Sequence, residues 1–122
     1  MESSPYRTVR TPRLSIRFTL GAEDDPHTVE DADAVITAPN GNRWTATLMT
    51  PARIATVMER WSGTGECLGG QYFQVRDLVI VREGGLDSMV SALEDIFRDY
   101  GTDTDVLPRL PHDDEDEEDL TE

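Results

Sequence analysis

Lysine is missing from this 122-residue chain: all eleven basic residues are arginine. Cysteine occurs once, at Cys67, which excludes an intrachain disulfide framework and any all-cysteine metal site. Histidine occurs twice, at His27 and His112. A nucleophilic thiol at Cys67 therefore has almost no candidate base, and the adjacent Glu66 would disfavour the thiolate; a small apolar filler is the better reading. No window approaches the roughly 20 consecutive apolar residues of a membrane span, and Met1–Arg10 is polar where a secretory leader would be apolar. The expectation is a soluble, cytoplasmic protein with no membrane partner.

Carboxylates are what the chain has in excess, 25 against the eleven arginines, for a formal charge of -14. Residues Thr102–Glu122 carry ten of them and one arginine, with an unbroken acidic run from Asp113 to Asp119. Such a block repels itself and offers little apolar surface to offset the entropy of ordering. With Pro108 and Pro111 disfavouring helix, residues 102–122 are expected to form a disordered acidic tail on a single domain of residues 1–101. The N-terminal end has the opposite sign: Arg7, Arg10, Arg13 and Arg17 face only Glu2 in the first twenty residues. The tail reads either as a solubilising bristle, loosely attracted to those arginines, or as a polyanion that steers a basic partner. The net field disfavours nucleic acid as a direct ligand.

Residues 1–12 read as an irregular arm. Leu14, Ile16, Phe18 and Leu20 then alternate with polar residues, the period of a strand buried on one face. Residues 21–33 show no apolar period and read as a surface loop. Asp33–Ala38 and Arg43–Met49 flank Pro39-Asn40-Gly41-Asn42 and should form a hairpin. A three-residue turn at Asn40–Asn42 opposes Trp44 to Ala38 and keeps every apolar side chain on one face. Thr50 as N-cap and Pro51 at the first position open a helix ending at Gly63, with Ile54, Val57, Met58 and Trp61 on one core-packing face. Gln71–Val75 and Asp77–Arg82 read as strand, with Leu78–Val81 covered on both faces. Leu86, Met89, Val90, Leu93, Ile96, Phe97 and Tyr100 repeat at helical spacing up to Gly101. The order β-β-β-α-β-α predicts an α+β fold: a two-layer sandwich of four to five strands, antiparallel or mixed, with two helices on one face.

No phosphate cradle follows from the glycines at 63, 65, 69 and 70, which come after a helix and before a strand and lack a following lysine. The acids and histidine of Asp24, Asp25, His27, Glu30, Asp31 and Asp33 lack calcium-loop spacing and read as a solvated loop. No cofactor, metal or catalytic residue is expected. The interface candidates are Glu66, Gly69, Gly70, Tyr72, Phe73 and Asp77, where a glycine-rich loop meets adjacent aromatics that must point to opposite sides of an extended chain.

The segment Thr64-Gly65-Glu66-Cys67-Leu68-Gly69-Gly70-Gln71-Tyr72-Phe73, continuing through Asp77 into Leu78-Val79-Ile80-Val81, resembles a pattern in small bacterial α+β proteins. There Thr-Gly-Glu, a Gly before Tyr-Phe, and Asp before an apolar run link a helix to a strand. The resemblance implies a bacterial cytoplasmic setting and kinship of fold, and it carries over no residue role. Two functional expectations follow from the residues. One is a non-enzymatic protein-binding module for a basic partner, an immunity-type inhibitor in its sharpest form. The other is a small-ligand binder or enzyme built on the Gly63–Gly70 loop with Glu66, Cys67, Tyr72 and Asp77.

Overall fold

Period-2 alternation becomes sheet where both halves of the pattern find neighbours, and here it does so on six strands. The computed structural model describes residues 5–111. The strands are β1 (Tyr6–Arg10), β2 (Ser15–Thr19), β3 (Asp31–Thr37), β4 (Arg43–Met49), β5 (Leu78–Ile80) and β6 (Arg109–Leu110). The helices are α1 (Pro51–Thr64) and α3 (Leu86–Tyr100), with a five-residue helical turn, α2 (Glu66–Gly70), between α1 and β5. The sheet runs β1-β2-β3-β4-β5, antiparallel throughout except for the parallel β4–β5 pair, and β6 joins β4 beside β5. The protein is α+β with a mixed sheet. No helix among the described residues is long and apolar enough to cross a membrane.

The even-numbered face of the central strands is the core. Ile16, Phe18, Ala34, Ile36, Trp44, Ala46 and Leu48 are buried there with Leu86, Met89, Leu93 and Phe97 of α3. Trp44 and Phe97 meet with ring centroids 4.5 Å apart at 50°, a tilted pair contributing about 0.5–1.5 kcal/mol beyond its burial. The N-terminus of α3 is met by the preceding loop: Gly85 N–H donates to Val29 O and Leu86 N–H to Pro26 O, each at 2.8 Å. Residues 21–30 are thus more than a surface excursion, since Val29 is buried and two of their carbonyls accept the first N–H groups of the helix. At the other end of the sheet Thr11, in the β1–β2 turn, donates its hydroxyl to Glu94 of α3.

Several expectations are corrected. Residues 6–10 are not an irregular arm but β1, paired to β2 from Tyr6↔Thr19 to Arg10↔Ser15; Tyr, Thr and Val suit an edge strand once a partner edge exists. The hairpin keeps its predicted face but shifts register by two: Trp44 opposes Ile36, Ala46 opposes Ala34 and Leu48 opposes Ala32. The loop is Pro39-Asn40-Gly41, closed by Gly41 N–H to Ala38 O at 3.0 Å and Ala38 N–H to Asn42 O at 2.9 Å, with Gly41 at φ +91°. Proline second and glycine fourth in the turn favour this loop, of the expected length but one residue earlier. A shift of two leaves every side chain on its face, so the apolar pattern could not choose between registers.

The α1 helix uses the expected cap, Arg53 N–H donating to Thr50 Oγ1 at 3.1 Å, but runs past Gly63 to Thr64. Of its apolar face only Val57 is buried, and none of α1 enters the principal core cluster. It is not the core-packing helix its periodicity suggested; an ion pair from Arg53 to Asp31 at 3.1 Å ties its first turn to β3. Residues 71–75 form no strand, and β5 is an edge strand with Ile80 exposed, not a strand covered on both faces.

The predicted tail boundary at Thr102 is also moved. Residues 102–111 return along β4: Trp44 Nε1–H donates to Thr104 O at 2.9 Å, Asn42 Nδ2–H to Thr102 O at 2.8 Å, and Thr45 N–H to Pro108 O at 3.0 Å. Leu107 joins the core, and Arg109–Leu110 pair with Arg43–Trp44 as β6. The acidic run Asp113–Asp119 lies outside the described residues.

A candidate interface on the left-handed turn after α1

The α1 helix stops because Gly65, at φ +91°, turns left-handed and donates its N–H to Trp61 O at 2.8 Å. After Glu66, whose φ is not positive, the chain turns left-handed again. Cys67 (φ 50°, ψ 50°), Leu68 (φ 56°, ψ 43°) and Gly69 (φ 69°, ψ 31°) form one turn of inverted helix, held by Gly69 N–H to Gly65 O at 3.3 Å and Gln71 N–H to Cys67 O at 3.0 Å. Among the described residues Cys67 and Leu68 are the two non-glycine positions with positive φ. Each costs about 1–2 kcal/mol because Cβ crowds the following carbonyl.

Packing against α1 holds that strained backbone in place. A Cβ on Gly70, itself at φ +85°, would sit 2.2 Å from Met58 O, so the turn lies directly against the helix backbone and only glycine fits. Phe73 stacks on Trp61, with centroids 5.5 Å apart and planes within 16°. Both contacts lie just after the left-handed residues, and the Gly65 cap on Trp61 O joins their other end to α1. Leu68 is 75% exposed and Tyr72 is 50% exposed. The strained segment therefore presents an aliphatic and an aromatic side chain to solvent on a fixed backbone.

Of the six residues expected at an interface, the structure gathers five here and gives them different work. Gly69 belongs to the left-handed turn, Gly70 makes the close approach, Phe73 is half-buried on Trp61, and Tyr72 and Glu66 are exposed. Asp77 is at the sheet: its backbone carbonyl accepts from Thr47 N–H at 2.8 Å, and its Oδ1 from Thr47 Oγ1–H at 2.9 Å. The same hydroxyl lies 3.2 Å from Asp33 Oδ1, and its one proton serves one carboxylate at a time. Asp77 thus registers β5 on β4, and among the described residues no hydrogen bond or ion pair links it to Glu66 or Tyr72. Cys67 is a half-buried free thiol. No group of three or more His, Cys, Asp or Glu side chains among the described residues is placed to hold a metal ion.

Leu68 is the member that sequence reasoning missed. Apolar and flanked by Cys67 and Gly69, it reads as a buried position, and only the inverted backbone points it outward. No family model matches the chain, and neither a curated protein nor a solved structure proves similar to it.

Proposed function

We propose that the chain is a protein-binding module whose docking surface is the left-handed turn, with Leu68 and Tyr72 as its anchors. The observation that carries this reading is the pair of positive-φ residues, Cys67 and Leu68, held on α1 while Leu68 faces solvent. Backbone strain of this kind concentrates at ligand clamps and binding sites, where its use is to present a side chain in one orientation. Preorganisation lowers the entropy lost on association, and tyrosine is enriched among residues that dominate interface energies. The net charge of -14 favours a basic partner through the rate of encounter. An inhibitor of the immunity type, occupying a basic surface of its target, is the specific form of this reading. A small-ligand pocket built on Glu66, Tyr72 and Asp77 draws no support from the placement of Asp77 on Thr47.

The test is affinity capture from the native host with the wild-type chain, Leu68→Asp and Tyr72→Ala in parallel, each first shown to be folded. A partner held by the wild type should be lost with Leu68→Asp. Tyr72→Ala should weaken it by about 30-fold, the effect of removing about 2 kcal/mol of interface energy. Equal retention on all three baits refutes the assignment. Retention on both variants but loss at high salt would move the docking surface to the charged faces of the protein.

A further inference from the structure

The sheet face turned away from the core is ordered by charge. Strand register places Arg10, Ser15, Thr37 and Arg43 directly opposite one another across β1, β2, β3 and β4. The neighbouring row is Thr8, Arg17, Val35 and Thr45. These two rows hold three arginines and no carboxylate. The next row, Tyr6, Thr19, Asp33 and Thr47, brings in an acid, and Asp31 opposite Met49 brings in another. One end of the face is therefore cationic and the other anionic. Arg10, Arg17 and Thr8 are exposed, and Ser15, Thr37, Arg43 and Thr45 are half-buried. Arg17 lies over the Tyr6 ring, 4.7 Å from its centroid, which leaves the guanidinium at the surface.

The described chain ends at this cationic row. β6 pairs Leu110 with Arg43, and Arg43 Nη1–H donates to Pro111 O at 3.1 Å. Two positions further along the sequence begins the run of seven acids, Asp113–Asp119. Strands spaced about 4.8 Å apart put β4 and β1 about 14 Å apart, and seven extended residues reach about 23 Å. The run is long enough to cross the row from Arg43 to Arg10, and Asp33 and Asp77, the two carboxylates at Thr47, repel it from the other half of the face.

We propose that the arginine-bearing end of this open face is a docking surface for an extended acidic peptide, and that its occupant is the chain's own Asp113–Asp119. Occupied in this way, Arg10, Arg17 and Arg43 are withheld from any external polyanion. The surface shares no residue with the left-handed turn, so its test is independent of the reading above.

The experiment uses the full chain in a Cys67→Ser background, with Leu120→Cys carrying a nitroxide and amide intensities read by NMR. Paramagnetic broadening is expected to be strongest around Arg10 and Arg17 and weakest at Asp31, the far corner of the face. It should fade as salt shortens the screening length from about 30 Å at 0.01 M to about 3 Å at 1 M. A second arm titrates a hepta-glutamate peptide into the wild type and into a chain with residues 113–119 changed to Asn and Gln. A tethered competitor at an effective concentration of about 1 mM, against a peptide Kd of about 0.1 mM, predicts about tenfold tighter binding to the neutralised chain. Arg10→Gln with Arg17→Gln should abolish that gain. Absent or uniform broadening, equal peptide affinity for the two chains, or broadening transferred between labelled and unlabelled molecules in a mixed sample would each overturn the proposal; the last would make a second copy the occupant.

Discussion

Replacing Leu68 by glycine and, separately, by alanine measures the inverted turn directly. Both variants remove the same side chain, of which 75% is already in solvent. Full burial of a leucine stabilises by about 1.5–3 kcal/mol, so either truncation loses only about 0.5 kcal/mol of packing. The two differ in one Cβ. At φ 56° and ψ 43° that atom costs about 1–2 kcal/mol. Glycine loses about 0.5–1 kcal/mol through the greater freedom of its unfolded chain. The difference leaves Leu68→Gly more stable than Leu68→Ala by about 0.5–1 kcal/mol, or about 2–4 °C in Tm. In a right-handed helix the order is reversed, alanine winning by about 1 kcal/mol. Urea unfolding of the two variants, with equal m-values confirming that both unfold the same structure, reads the sign. Alanine equal to or above glycine would refute the left-handed turn and, with it, the argument that strain presents Leu68. The glycine variant should also lose partner binding while matching or exceeding the wild type in stability.

Gly70→Ala should destabilise by about 3 kcal/mol, because a methyl group 2.2 Å from Met58 O forces the turn off α1; loss of the Trp61–Phe73 stack should appear as a change in tryptophan fluorescence at denaturant concentrations where the sheet is intact. Trp44→Phe removes the indole N–H from Thr104 O, which keeps its bond from Arg109 Nε–H at 3.1 Å, so the lost hydrogen bond costs about 0.5–1.5 kcal/mol; amide exchange should accelerate first at Thr45, whose N–H is bonded to Pro108 O.

The two helices show how far periodicity reaches. Both α1 and α3 carry apolar residues at helical spacing, and both form. In α3 that face is buried against the sheet at Leu86, Met89, Leu93 and Phe97, whereas in α1 only Val57 is buried. Spacing reports that a stripe exists; the sheet has one core face, and α3 covers it. The closing segment was illegible for a related reason. Leu107 and Leu110 lie among acids and prolines, a composition that resists folding alone, but here they meet a preformed β4 edge. The signal available in advance was Trp44, a buried indole whose N–H needs an acceptor that the hairpin does not supply. Of the interface candidates, Tyr72 and Phe73 are expected on opposite sides of a strand that residues 71–75 do not form; Phe73 stacks on Trp61 while Tyr72 is exposed, and Asp77 bonds Thr47, a partner 30 residues away.

Local chemistry alone determined the α+β class, the strand faces, the Thr50 helix start and the excess of negative charge. Each depends on residues within one or two turns of each other, where period, cap and glycine act without long-range partners. Tertiary structure decided the hairpin register, the recruitment of residues 6–10 and 102–111 to the sheet, and the outward aim of Leu68. Those outcomes depend on edges and surfaces that exist only once distant segments have met: β2 offers an edge to β1, β4 to both β5 and β6, and the α1 backbone seats a turn whose handedness its own residues oppose.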